Sequence, residues 1–100
     1  MKKNLNVALC EGRHEIPQAT DGSIFPSVVN PLDIEGMSKH VVNFFQNKEF
    51  DNVNLYVTGL TVALVEVIKY CYDNNINLIL YHYNKADNNY YPQTINIPKL

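Results

Sequence analysis

Residues 53–83 constrain the fold of this chain more than any other stretch. Val53 to Val57 is a short run of strand-forming residues. Leu60 or Thr61 then opens a helix that continues to about Asn74, with Leu64, Val67, Ile68 and Cys71 along one stripe. Ile76 to Tyr83 is a second strand, apolar at nearly every position. Two strands joined through a helix are parallel, and strand twist makes their crossover right-handed. A strand apolar at nearly every position is one expected to be covered on both faces. Val62, Val65 and Tyr72 widen the helix stripe until little polar surface remains.

The flanking segments extend this unit. Leu5 to Cys10 reads as a buried strand with Asn6 its only polar interruption. From Glu11 to Leu32 the periodicity stops and Gly12, Pro17, Gly22, Pro26 and Pro31 punctuate the chain, so residues 11–32 are expected to be a long irregular loop, with a hairpin about Asp21-Gly22 folding part of it. Such a long connection in a compact domain points to function, and Ile16, Ile24, Phe25, Val28 and Val29 argue that it is ordered. Asp33 offers an N-cap for a helix from Ile34 to Gln46, whose Ile34, Met37, Val41, Phe44 and Phe45 recur at helical spacing. After a turn at Asn84 to Asn89, Tyr90 to Ile97 alternates as a last strand, which Pro92 places at an edge. The expectation is one α/β domain over residues 1–100: a small Rossmann-like three-layer sheet in the order β-α-β-α-β-β, mostly parallel with an antiparallel edge strand.

Composition narrows the partners. A formal charge of −2, a pI near 5.8 and scattered lysines argue against duplex-DNA binding through phosphate neutralisation. The apolar run after the basic start spans only Val7 to Cys10, too short for a signal peptide, and nothing approaches the length of a membrane span. The chain therefore reads as cytoplasmic. Cys10 and Cys71 fall in apolar segments and read as small core residues of a reducing compartment, with a disulfide the lesser alternative. One hundred residues bury a marginal core, which favours a homodimer. Abundant Asn, Ile, Lys and Tyr suit an AT-rich coding sequence, so single asparagines carry little weight.

In open parallel sheets, ligands sit beyond the carboxyl ends of the strands. That rule selects Cys10 to Glu15, Thr58 to Thr61, and His82-Tyr83, which are expected to meet on one rim. Thr58, Gly59 and Thr61 supply a flexible turn, two hydroxyls and the amides of a helix start, where the dipole favours an anion. The plainer account is that Gly59 relieves a tight turn and Thr61 caps the helix. Arg13, His14 and Glu15 form the densest titratable cluster: a guanidinium for phosphate, an imidazole for proton exchange, or else solvated surface. His82 either reaches the same rim or hydrogen-bonds a neighbour. No Walker loop, dinucleotide fingerprint or Gly-x-Ser-x-Gly elbow occurs, and the scattered histidines make no zinc site. No metal or cofactor is implied. Tyr81, Tyr83, Tyr90 and Tyr91 read as cross-strand pairs that steady a hairpin, or as surfaces for nucleobases or a second subunit.

The stretch "VTGLTVALVEVI", residues 57–68, resembles the CRISPR-associated Rossmann-fold family of cyclic-oligoadenylate sensors and ring nucleases. There a strand leads into a Thr-Gly-x-Thr type loop at a helix start, and the loop after the first strand faces it. This chain departs by having fewer elements, no effector domain, and leucine where a second glycine is common. The resemblance implies a homodimer that shares one cyclic ligand across its two-fold axis, and a small phage or mobile-element protein that binds or destroys a defence signal. Ligand contacts fall to Arg13, Glu15, Thr58, Gly59 and Thr61. In a metal-independent cleavage, His14 or His82 would move protons while a ribose 2′-hydroxyl attacks the adjacent phosphodiester. The alternative class is a non-enzymatic module that docks a protein partner through the long loop and the tyrosine hairpin.

Overall fold

A computed structural model describes residues 3–12, 15–26, 30–58 and 60–95. Five strands and two helices follow one another as β1 (Asn4–Cys10), β2 (Ser23–Phe25), α1 (Ile34–Phe45), β3 (Asn52–Tyr56), α2 (Thr61–Asp73), β4 (Asn77–Asn84) and β5 (Asn89–Ile95). They form one sheet in the order β2-β1-β3-β4-β5. The first four strands run parallel, and β5 is antiparallel to β4 at the rim. Pro92, which lacks an N–H, lies on that edge strand, where a missing donor is tolerated.

The segment expected to be an irregular loop thus contains a strand, and the hairpin expected about Asp21-Gly22 does not form. Gly22 instead adopts a φ of 97°, a left-handed turn open to glycine, and delivers β2 alongside β1 in parallel. Three residues are too few to show a period, which is why β2 was hidden in the sequence.

The helices follow from local chemistry. The Asp33 carboxylate accepts from the Gly36 amide at 2.9 Å and caps α1. A Cβ at Gly36 would displace that same carboxylate from its capping position. Met37, Val41 and Phe45 form the buried stripe of α1; in α2 it is Ala63, Val67 and Cys71 that go deepest, while Leu64 and Ile68 sit at its shoulder. Glu66 is the one charged side chain buried among the described residues, 3.4 Å from Lys69 one turn along α2. Asn47 and Asn75, just beyond the two helices, take positive φ as helix-ending asparagines do.

Register assigns the core to one side of the sheet. Leu5, Val7 and Leu9 of β1 share a face with Val53 and Leu55 of β3 and Leu78 and Leu80 of β4. All seven belong to the same buried cluster as the stripes of α1 and α2, and the two helices pack on one another there. Full burial of a leucine such as Leu55 stabilises the fold by about 1.5–3 kcal/mol. Both crossovers, β2 to β3 and β3 to β4, advance in the same direction across the sheet, so right-handedness puts both helices on the same side.

The other face carries no helix among the described residues, so they make two layers rather than the expected three. Its rows are polar. The Asn52 amide donates to Asn4 and the Asn77 amide to Asn52, each at 3.0 Å, and in the next row Asn54 donates to Asn6 at 2.8 Å. The expectation that β4 is covered on both faces fails for this reason: Ile79, Tyr81 and Tyr83 point to the open side, and two of these three apolar positions are tyrosines.

Candidate functional site

The strand order reverses between β1 and β3. The chain leaves β1 toward β2 on one side, returns through α1 to β3 on the other, and so opens a crevice at the carboxyl ends of the two central strands. Thr58 closes the bottom of that crevice. Its hydroxyl donates to the Cys10 carbonyl at 2.8 Å and accepts from the Cys10 amide at 3.2 Å, which ties the ends of β1 and β3 where regular pairing stops. The hydroxyl proton is therefore committed to the backbone, and Thr58 shapes a floor.

Above this floor lies a cleft of about 670 Å³. Gly12, Glu15, Ile16, Pro17 and Gln18 of the loop after β1 form one wall, and Tyr83, Lys85, Asn88 and Tyr90 of the β4–β5 hairpin form the other. The hairpin tip is held by its own hydrogen bonds. Asn84 accepts from the Ala86 amide and donates to the Asp87 carboxylate, both at 3.0 Å, and Asn88 turns the chain with a φ of 50°. Tyr83 donates its phenol proton to the Asn88 side-chain oxygen at 2.8 Å.

A cluster of four rings backs this wall. Tyr56 stacks on Tyr81 with centroids 4.9 Å apart, Tyr90 meets Tyr56 edge-on at 5.1 Å, and Tyr83 packs against Tyr90 at 5.3 Å. The expected cross-strand aromatic pairing is present in Tyr83 and Tyr90, which lie directly opposite one another. Burial, and to a lesser degree the neighbouring phenols, push the Tyr56 and Tyr90 hydroxyls above the usual tyrosine range. Burial likewise raises the Cys10 thiol, against a smaller opposing hydrogen bond from the Leu60 backbone.

The residues singled out in the sequence distribute as follows. Glu15 and Thr58 line the cleft together. Thr61 is the first residue of α2, whose N-cap, Leu60, provides no side-chain hydrogen bond, and no acidic residue occupies the first turn. Thr61 is thus not the cap, and the helix start keeps its positive end without an internal carboxylate. His82 alternates with Tyr81 and Tyr83 and so projects from the opposite sheet face, where its Nε2 lies 2.8 Å from the Gln93 side-chain oxygen. It does not meet Glu15 and Thr58. Arg13, His14 and Gly59 lie outside the described residues. His40 is placed by the Ile24 carbonyl, 2.6 Å from its Nε2, with its ring stacked on Phe25.

Lys85 and Asn88 were not singled out in the sequence, yet they follow from the rule that was applied. The turn after β4 also stands at the carboxyl ends of the parallel strands and should have been counted with the rim. Among the described residues, no group of three His, Cys, Asp or Glu side chains could hold a metal, and no helix is long and apolar enough to cross a membrane. Cys10 and Cys71 are free thiols. No family model, curated protein or solved structure matches the chain.

Proposed function

We propose that this protein binds an anionic, nucleotide-type ligand in the cleft between the loop after β1 and the β4–β5 hairpin. The observation that carries the reading is the coincidence of that cleft with the reversal of strand order between β1 and β3. Its volume falls in the range typical of small-molecule sites. Lys85 on the hairpin and the helix start at Thr61 supply positive potential at this end of the sheet, and Arg13, next but one in sequence after Glu11, adds a counter-charge. A cyclic oligonucleotide is the ligand that the resemblance in residues 57–68 favours. The reading is one of binding in the cytoplasm; cleavage would fall to His14, since His82 projects from the other face.

The test is a panel of cyclic and linear oligonucleotides incubated with pure protein, with melting shift as the binding readout and chromatography of the products as the turnover readout. A shift with at least one member is the expected outcome. Neither a shift nor a product across the panel would overturn the proposal.

A second subunit belongs to the same proposal. Val65 and Tyr72 on α2 are 45% and 55% exposed, apolar surface that a self-complementary contact would cover. Light scattering at micromolar concentration is expected to give a dimer, and Val65→Asp to lower its mass. The same exposed side chains favour the competing reading of a protein-interaction module, which an empty ligand panel would leave standing.

A further inference from the structure

Resting on the nucleotide reading above, we infer that one subunit alone holds a complete nucleotide unit, its base against the tyrosine wall of the hairpin and its phosphate at Lys85. The two halves of such a ligand need different surfaces, and the cleft supplies them on one element. Tyr83 and Tyr90 face each other across β4 and β5, and both are fixed before any ligand arrives: Tyr83 by its hydrogen bond to Asn88, Tyr90 by the edge contact with Tyr56. Tyr83 remains 49% exposed, so its ring has surface left to cover. Pre-set aromatic rings accept any base by stacking, without a hydrogen-bond code. Lys85 projects from the same turn and forms no ion pair among the described residues. Glu15 on the facing wall is a carboxylate acceptor, suited to the hydroxyls of a ribose and unsuited to further phosphates. The cleft thus runs from aromatic to cationic along the hairpin and is acidic across from it, which is the chemistry of a nucleoside monophosphate unit and not of a polyphosphate.

Adenosine 5′-monophosphate, adenosine and ribose 5-phosphate, titrated calorimetrically into the pure protein, separate the two halves. AMP is expected to bind most tightly. Tyr83→Ala should weaken AMP and adenosine about tenfold, within the range for loss of one base–aromatic stack, and leave ribose 5-phosphate unchanged. Lys85→Gln should weaken AMP and ribose 5-phosphate and spare adenosine. Tyr83→Phe keeps the ring, loses the bond to Asn88 and should retain AMP affinity. The comparison of AMP with ribose 5-phosphate on unmodified protein holds even if Tyr83→Ala does not fold, and equal affinity there would overturn the tyrosine assignment. Should cyclic oligonucleotides bind while AMP does not, the single-unit inference falls and the broader reading stands. Failure of every nucleotide removes both.

Discussion

The two faces of the sheet are made by the same strands and behave as different materials. Leu55 is fully buried toward the helices, while Asn54, its neighbour in β3, projects the other way and donates to Asn6. One face is a dry aliphatic layer whose burial holds the fold together. The other is a ladder of amides that turns into a cluster of phenols toward the carboxyl ends. Since β alternation separates the two sets, exposed side chains of the open face such as Asn4 and Tyr83 can vary without touching the aliphatic layer, while Ala8, Cys10 and Tyr56 on the same face are themselves buried. The difference teaches where function has room: at the aromatic end of the open face, beside the crevice, and not at its amide end, where the groups already satisfy one another.

Alkaline titration should separate the faces most strongly. Burial on the inner face of α2 pushes the Cys71 thiol from its ordinary 9.0 up to about 12. The folded state holds this proton more tightly than the unfolded chain does. Its contribution is therefore fully present below pH 9 and is lost as pH rises toward 12, with an upper bound on the order of 4 kcal/mol. Urea unfolding across that interval should show the loss, and Cys71→Ala should flatten it. The Tyr56 and Tyr90 hydroxyls on the open face are raised in the same direction, so they add a loss above pH 10 that Cys71→Ala leaves in place. A slope identical in wild type and Cys71→Ala would break the contrast.

Substitution at neutral pH comes next in size. Leu55→Ala should cost about 2–5 kcal/mol in chemical denaturation, as expected for a large-to-small change in a packed core. Between the faces, Thr58→Val should cost about 1–3 kcal/mol, because the Cys10 amide and carbonyl both lose their partner, whereas Thr58→Ser should restore most of it. Smallest of all, Asn52→Ala removes two amide bonds in exposed surroundings and is expected to cost under about 1 kcal/mol. Were Asn52→Ala as damaging as Leu55→Ala, the amide ladder would have to be treated as part of the core.

The helices were legible because their signals are local. Asp33 caps α1 as expected, and the spacing of Met37, Val41 and Phe45 fixes its buried stripe. The positions of β1, β3, β4 and β5 were readable for the same reason, along with the edge placement that Pro92 imposes, while β2 is too short to show a period. What escaped depends on partners distant in sequence. A run such as Ile76 to Tyr83 looks uniformly apolar, because tyrosine serves equally as core or as half-exposed surface, and only the missing second layer decides which. Asparagines discounted as compositional bias prove to be paired across strands, a property no single position reveals. In the candidate site, the rule of strand ends names Glu15 and Thr58, which line one cleft; of the two alternatives open for His82, the rim or a hydrogen-bonded neighbour, only the register decides for Gln93; and Lys85 sits in a turn that looks merely connective.

The interior position of β1, between the edge strand β2 and the central β3, bears on how the chain is made. Its cross-strand amide bonds to β3 span 48 residues. While the polypeptide emerges from the ribosome, Leu5, Val7 and Leu9 therefore wait without their main strand partner until β3 follows; among the described residues, the three-residue β2 and the buried stripe of α1 are what precedes it. Sheets closed by such remote pairings form slowly and leave sticky intermediates behind. The nascent chain thus has an interval of vulnerability to self-association and chaperone capture, which ends only when β3 slides in between an early strand and the α2–β4 segment still to come.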